Sequence, residues 1–412
     1  MDKRKIAIFG AGAIGKKAYY MLQEKYEVVR FYDNSDSKIG KQIDGIPIEK
    51  WDGNYDGVLI VIALVQYKQI VKQLAQNGLR PITDFTLWKN FEPFEELLYS
   101  DLYHMEVACG KKIDYRNFLP KRKIAVFFGN CQTGMFEEMF CFSPEFRREY
   151  AVIYIPRIFQ YVYDKEYAIY FANDTNFWKQ VDLFVYQKVS RDNRFTELMA
   201  SDRILAMLKK SCKKVCILNT YFTGYYPQMC KNIGAHLKSV QNSGIFPYGD
   251  TVVDEYIKKG YSVEKIIQKI QDIEIFSNEE IQKGIEQSFA EMERREIGVD
   301  VKISDYILVN YKKKQLFYSP NHPCMDVLQE YANRILNYLG FGPLEIDEID
   351  LLSKVDSLKG EDIPLYPDVI SYLKLEDYEK FYYPNRYIYN NLRVQFEDWI
   401  RLYIKDKQKR DV

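Results

Sequence analysis

The chain has 412 residues, with Lys and Arg totalling 58 against 58 Asp and Glu, 47% hydrophobic and 28% charged residues. The length exceeds one ordinary core and predicts two or three domains, and the charge balance gives no global field for nucleic acid or anionic membrane. The longest apolar run, Val58–Val65, is far shorter than the roughly 20 residues a bilayer span needs.

Met1–Lys5 runs straight into a strand, so no secretory leader is expected. Seven cysteines, an odd number spread over a long chain, predict reduced thiols in a cytoplasm. Cys212 and Cys216 have no accompanying pair, and the only histidines are His104, His236 and His322, so a metal site is not expected.

In chain order, Lys5–Phe9 predicts a strand and Gly10-Ala-Gly-Ala-Ile-Gly15 a glycine-rich turn into a helix reaching Lys25. Strand Val28–Asp33 ends in a carboxylate near the spacing that meets a ribose hydroxyl. A strand over 57–64, a helix over 67–76 stopped by Gly78, and a last strand over 81–85 complete a small Rossmann-like segment. Gly10, Gly12, Gly15 and Asp33 are its candidate nucleotide contacts. Residues 87–103 read as helical and the whole of 87–121 as a helical linker, with His104 a packing residue.

The second half opens on Lys123–Phe128, a buried strand running into Gly129-Asn-Cys-Gln132 and a helix. A cysteine at such a turn faces free backbone N–H groups and the positive end of a helix dipole, which favours a thiolate and forms an oxyanion site. Strands over 150–155, 181–187 and 214–219 follow, with a helix over 195–210 between the last two. Alternating strands and helices predict a parallel sheet with ligands at the carboxyl ends of its strands. Asn130, Cys131, Gln132, Gln187 and Asn219 occupy those ends.

Helices follow over 250–261, over 262–273 and, from a Ser277–Glu280 capping box, to about Glu296. His322, between Asn321 and Pro323, precedes a helix over 325–339 stopped by Gly340. Histidine, with an unperturbed pKa near 6.5, can take a proton from a hydroxyl or thiol. The C-terminal segment predicts short helices over 367–375 and 396–404 and a basic tail over 405–410. Its expected role is packing on the second domain or contact with a second copy of the chain.

Two resemblances sharpen this outline. Asp33–Gly40 and Ile43–Ile48 resemble the N-terminal nucleotide-sugar-binding domains of bacterial sugar acyltransferases (PglD-like), over about the first 85 residues. The resemblance implies a nucleotide or nucleotide-sugar at Gly10, Gly12, Gly15 and Asp33. NAD(P) binding and a degenerate domain kept for packing compete with it.

Gly129–Gln132, Asp182…Gln187, Tyr221–Pro227 and Asn321–Pro323, in that order, look like the WcbI family of polysaccharide-biosynthesis enzymes, over about 122–340. The resemblance implies coenzyme A binding and acetyl transfer to a capsular polysaccharide, on an SGNH/flavodoxin-like α/β layout. Cys131 then takes the nucleophile's place, His322 the base's, and Asn130 with the turn's N–H groups an oxyanion hole. Gly129, Gln132, Gln187, Asn219, Tyr221, Ser243 and Asn321 become the coenzyme A or substrate contacts. The aspartate usual three residues before the histidine is absent, because Ser319 stands there.

The expected division is a Rossmann-like domain over 1–86, a linker over 87–121, a WcbI-like domain over 122–345 and a C-terminal extension over 346–412. Two routes are open: direct attack of a sugar hydroxyl, with His322 as base, or acylation of Cys131 first. The rival functions are an SGNH-like carbohydrate esterase and a non-catalytic nucleotide-sugar-binding protein.

Overall fold

The computed structural model describes residues 3–64, 66–81, 83–90, 97–98, 101, 103, 105–107, 110, 122–159, 165–192, 197–231, 246, 248–272, 274–344, 358, 362–375, 381–382 and 394–410. The fold is mixed α/β with two mainly parallel sheets. The chain divides into two compact units, 1–128 with 148–184 and 190–213, and 129–147 with 185–189 and 214–412.

The first sheet comprises β1 (Arg4–Phe9), β2 (Tyr26–Tyr32), β3 (Gln42–Ile43), β4 (Ile46–Glu49), β5 (Leu59–Ile62) and β6 (Phe85–Leu87), in the order β3-β4-β2-β1-β5-β6. All its pairings are parallel except β3–β4. Helix α1 (Ala13–Leu22) and helix α2 (Lys68–Gln76) supply crossovers. Ile6, Ile8, Phe31 and Val61 are buried side by side, as expected for a parallel sheet whose strands read as apolar runs. The β3–β4 hairpin turns on Asp44 and Gly45, both with positive φ, the backbone of a two-residue I′-type turn. The expected strand over 81–85 instead begins at Phe85. Just before it, Arg80 donates through its backbone N–H and guanidinium to the Asp84 carboxylate.

The second sheet runs in the order β11-β10-β8-β9-β7, with β7 (Leu97–Leu98), β8 (Lys123–Phe128), β9 (Tyr150–Tyr154), β10 (Val181–Gln187) and β11 (Lys213–Ile217). Leu97–Leu98 is therefore a sheet edge rather than part of a helix. Pairing with Ile153 and Tyr154 of β9 overrides the intrinsic helix preference of leucine. Helix α3 (Cys131–Cys141) leaves the end of β8, and α4 (Pro144–Glu149) precedes β9. Helix α5 (Lys165–Asn173), α6 (Thr175–Trp178) and α7 (Ser201–Met207) lie in the following connections, the last shorter than the expected 195–210.

Beyond β11 come β12 (Met229–Lys231) and β13 (Tyr248–Asp250), which pair, then α8 (Thr251–Lys258), α9 (Val263–Asp272) and α10 (Asn278–Glu296). The Ser277–Glu280 capping box forms. Helix α11 (Ser304–Asn310), unread in the sequence, starts where Glu296 accepts from the Ile303 and Ser304 N–H groups. The antiparallel pair β14 (Phe317–Ser319) and β15 (His322–Pro323) presents His322, and α12 (Met325–Leu339) ends on left-handed Gly340. Helix α13 (Pro367–Leu373) and α14 (Phe396–Arg410) form the C-terminal segment. The basic tail is thus helical to Arg410, and Lys407 pairs with Asp254. Among the described residues no helix is long and apolar enough to cross a membrane.

Candidate active site

Ile124 to Phe128 are wholly buried, each large apolar side chain contributing about 1.5–3 kcal/mol on removal from water. This anchors the end of β8, so the turn after it is fixed. A Cβ on Gly129 would stand 2.4 Å from Gln187 Oε1 and 2.8 Å from Thr133 Cγ2, so only glycine fits there. Asn130 caps α3, accepting from the Gln132 N–H at 3.0 Å, and donates from Nδ2 to Asn219 Oδ1 at 2.8 Å. Cys131 is the first helical residue and is half-buried.

Cys131 Sγ lies 3.2 Å from His322 Nε2. His322 is 6% exposed, and its Nδ1 lies 3.1 Å from the Leu358 carbonyl oxygen. A carbonyl can only accept, so Nδ1 carries the ring proton and Nε2 turns a lone pair toward the thiol. The position of the missing aspartate does not supply this contact. Ser319 is fully buried, and its hydroxyl has no partner among the described residues. The orienting acceptor comes from the main chain of the C-terminal segment instead.

Gln132 is 0% exposed, and protein groups surround its amide. Nε2 donates to the carbonyls of Thr220 (2.8 Å) and Asn321 (2.7 Å) and to Asn219 Oδ1 (3.1 Å). Oε1 accepts from Thr220 N–H (3.1 Å), Thr220 Oγ1 (2.9 Å) and Gln187 Nε2 (3.3 Å). Gln187 Oε1 accepts in turn from the Asn130 N–H at 3.0 Å. Tyr248 donates to Asn321 Oδ1. Gln132 and Gln187 are therefore struts joining the Cys131 turn, the end of β11 and the histidine loop. Their amides hold the site rather than face a ligand.

The sequence placed the turn's N–H groups in an oxyanion hole. The Asn130 and Gln132 N–H groups are spent inside the protein, which leaves the Cys131 N–H without an acceptor among the described residues. Asn219, Tyr221 and Asn321 are half-buried; Asn219 bonds to Asn130 and Gln132, and Asn321 adjoins His322. Cys131, His322, Asn130, Gly129, Gln132, Gln187, Asn219 and Asn321 are brought together, all within the second unit. Ser243, like His104 and His236, lies outside the described residues. Sequence reasoning missed Thr220, Tyr248 and Leu358. Tyr248 and Thr220 are ordinary strand-end residues, and Leu358 acts through its backbone, so none carried a side-chain signal.

In the first unit the glycine-rich loop closes on Asp33. Its carboxylate accepts from Ala11 N–H (2.8 Å) and Ser35 N–H (2.9 Å) and pairs with Lys38 (2.9 Å). Burial alone would raise its pKa, but Lys38 and the two N–H groups hold it below the usual carboxylate range. Gly10, at φ 117°, packs against the Ala63 carbonyl, and a Cβ on Gly15 would meet the Gly10 carbonyl at 1.7 Å. Those two glycines serve close packing. Gly12 is open: a Cβ there would meet only Lys38 Nζ, at 3.9 Å.

A family model described as polysaccharide biosynthesis enzyme WcbI matches residues 124–344, more than half of the chain. Residues 2–80 match a model described as C2185-like, N-terminal. A solved structure described as WcbI, a novel polysaccharide biosynthesis enzyme, in a native form without a disulfide bond between coenzyme A and a cysteine, has a similar fold. Its TM-score is 0.58 at 21% identity, over 70% of this chain and 90% of that one. No curated protein matches the chain. With the matched region spanning the Cys131 turn and the His322 loop, the chain belongs to the WcbI family of polysaccharide-biosynthesis enzymes.

Proposed function

We propose that this enzyme transfers an acetyl group from coenzyme A to a sugar hydroxyl of a capsular or other surface polysaccharide. The observation that carries the reading is the 3.2 Å approach of Cys131 Sγ to a His322 ring whose other nitrogen is held by the Leu358 carbonyl. The coenzyme A named for the solved WcbI structure supports the donor. A half-buried thiol at a helix N-terminus, flanked by half-buried Asn219 and Asn321, suits the thioester end of such a donor.

In this mechanism His322 Nε2 takes the Cys131 proton as Sγ attacks the thioester carbonyl. The Cys131 N–H faces the developing oxyanion. The coenzyme A sulfur leaves with the proton returned by His322. Next, Nε2 takes the proton of the sugar hydroxyl, the hydroxyl oxygen attacks the acetyl carbon, and the Cys131 sulfur leaves and is reprotonated by His322. Asn130, Gln132 and Gln187 position the pair.

The reading takes the first sheet as Rossmann-like and the second as SGNH-like. It assigns the Gly10–Gly15 loop a nucleotide or nucleotide-sugar, with phosphate over Gly12 and Lys38 beside it. Asp33 clamps that loop through Ala11, Ser35 and Lys38, and its Oδ1, which accepts only from the Ser35 N–H, keeps a lone pair for a ribose hydroxyl.

Intact-mass spectrometry after a single turnover with acetyl-CoA tests the reading. One acetyl group should appear on wild-type protein and none on Cys131→Ala. Acetylated sugar without an acetyl-enzyme would refute the covalent route and leave direct attack assisted by His322. Release of free acetate alone, with every sugar acceptor, would make the protein an esterase.

A further inference from the structure

Helix α10 packs beside the segment that follows Asn219 and Thr220. Ser288 Oγ accepts from the Thr223 N–H at 2.9 Å, and the Phe289 and Phe222 rings are 5.1 Å apart. Farther along that face come buried Met292 and then Arg295. Arg295 is half-buried, with Tyr221 among its charged or polar neighbours. Burial lowers its pKa from the usual guanidinium value, with Glu291 opposing.

Glu291, one turn back, is already engaged. Its two carboxylate oxygens accept from Arg294 Nε at 2.7 Å and Nη2 at 2.8 Å. Among the described residues nothing forms an ion pair or a hydrogen bond with the Arg295 side chain. A second cation reaches the same helix end: Lys188, next after Gln187, donates to the Ile297 carbonyl at 3.4 Å. Arg295, with Tyr221 as a neighbour, and the Lys188 contact to Ile297 thus both fall at the carboxyl-terminal end of α10.

A partly desolvated guanidinium with no directly bonded carboxylate is costly, and its planar fork matches phosphate oxygens in pairs. We propose that Arg295, with Lys188 at the same helix end, anchors a phosphate group of the donor whose thiol end meets Cys131. This rests on the coenzyme A reading and assigns the donor's nucleotide end to α10.

Calorimetry on the full chain tests it, using coenzyme A, pantetheine (the same thiol arm without phosphates) and inorganic pyrophosphate. Wild type, Arg295→Gln and Arg295→Lys are compared, each first shown to melt as wild type does. Arg295→Gln should weaken coenzyme A by roughly ten- to a hundredfold and leave pantetheine unchanged, with Arg295→Lys in between. Equal coenzyme A affinity in wild type and Arg295→Gln would overturn the assignment and leave the acetyl-transfer reading standing. So would equal weakening of pantetheine. If wild type ignores coenzyme A yet binds pyrophosphate only with Arg295 intact, the phosphate site stands and the donor reading fails. If wild type binds none of the three, both fail.

Discussion

Replacing Gln132 by Met keeps the length of the side chain and removes its amide. Three main-chain groups then lose a partner: the Thr220 N–H, the Thr220 carbonyl and the Asn321 carbonyl. Asn219 Oδ1 keeps its bond from Asn130 Nδ2, and the Thr220 hydroxyl can rotate. At about 1–3 kcal/mol for each buried group left unmade, and with partial relaxation, the cost is about 3–5 kcal/mol. That is a large share of the roughly 5–15 kcal/mol by which domains are stable. Urea unfolding followed by far-ultraviolet circular dichroism should show a lower midpoint at unchanged slope. Gln132→Glu should cost at least as much, because it loses both donors and sets a buried carboxylate against two carbonyls. A loss below about 1 kcal/mol for Gln132→Met would refute the strut argument.

Two further outcomes follow from the cysteines and from Asp250. Iodoacetamide should modify Cys131 well ahead of Cys216 and Cys324, since burial raises the pKa of both and pushes Cys324 to about 12. Peptide mapping should also show His322→Ala slowing Cys131 labelling on the order of tenfold; labelling of Cys324 as fast as Cys131 would contradict it. Asp250 caps α8 and accepts from Tyr366, but complete burial raises its pKa from 3.8 to about 7. A raised carboxyl stabilises the fold below its unfolded pKa, and that stability is lost as pH climbs toward about 7. The loss amounts to up to about 4 kcal/mol relative to Asp250→Asn, which keeps the cap without the charge. The difference in melting temperature between the two proteins should change between about pH 5 and about pH 8, and a constant difference would count against it.

The strands and most helices were legible because burial leaves its mark on composition. Ile6–Phe9, Ile124–Phe128 and Val181–Gln187 are apolar runs with no competing period. Capping marked α10 and α12, where the Ser277–Glu280 pair and Gly340 stand at the helix ends. The short elements escaped. Gln42–Ile43 and Ile46–Glu49 are too brief for periodicity, although Asp44-Gly45 is the signal of a two-residue hairpin. Helix α11 begins on Glu296, a side chain seven residues away from Ile303, so no local cap announces it.

Within the site, Cys131 and His322 were legible as residue types at element boundaries. The division between ligand contact and strut was not. Gln132 and Gln187 are polar residues at strand and helix ends whichever role they hold, and only their burial separates the two. Asp33 shows the same ambiguity. Its spacing suits a ribose contact, while Ala11, Ser35 and Lys38 already bond to its oxygens.

The imidazole's second partner being a peptide oxygen has a consequence for how variation is tolerated. Any amino acid at position 358 except one that diverts the backbone can offer the same acceptor to His322 Nδ1. The demand falls on the route of the chain past the ring, which lies beyond the matched stretch ending at 344. A peptide oxygen also brings no formal charge and does not titrate. The acceptor facing Nδ1 is therefore the same at every pH, where a carboxylate partner would gain and lose its proton.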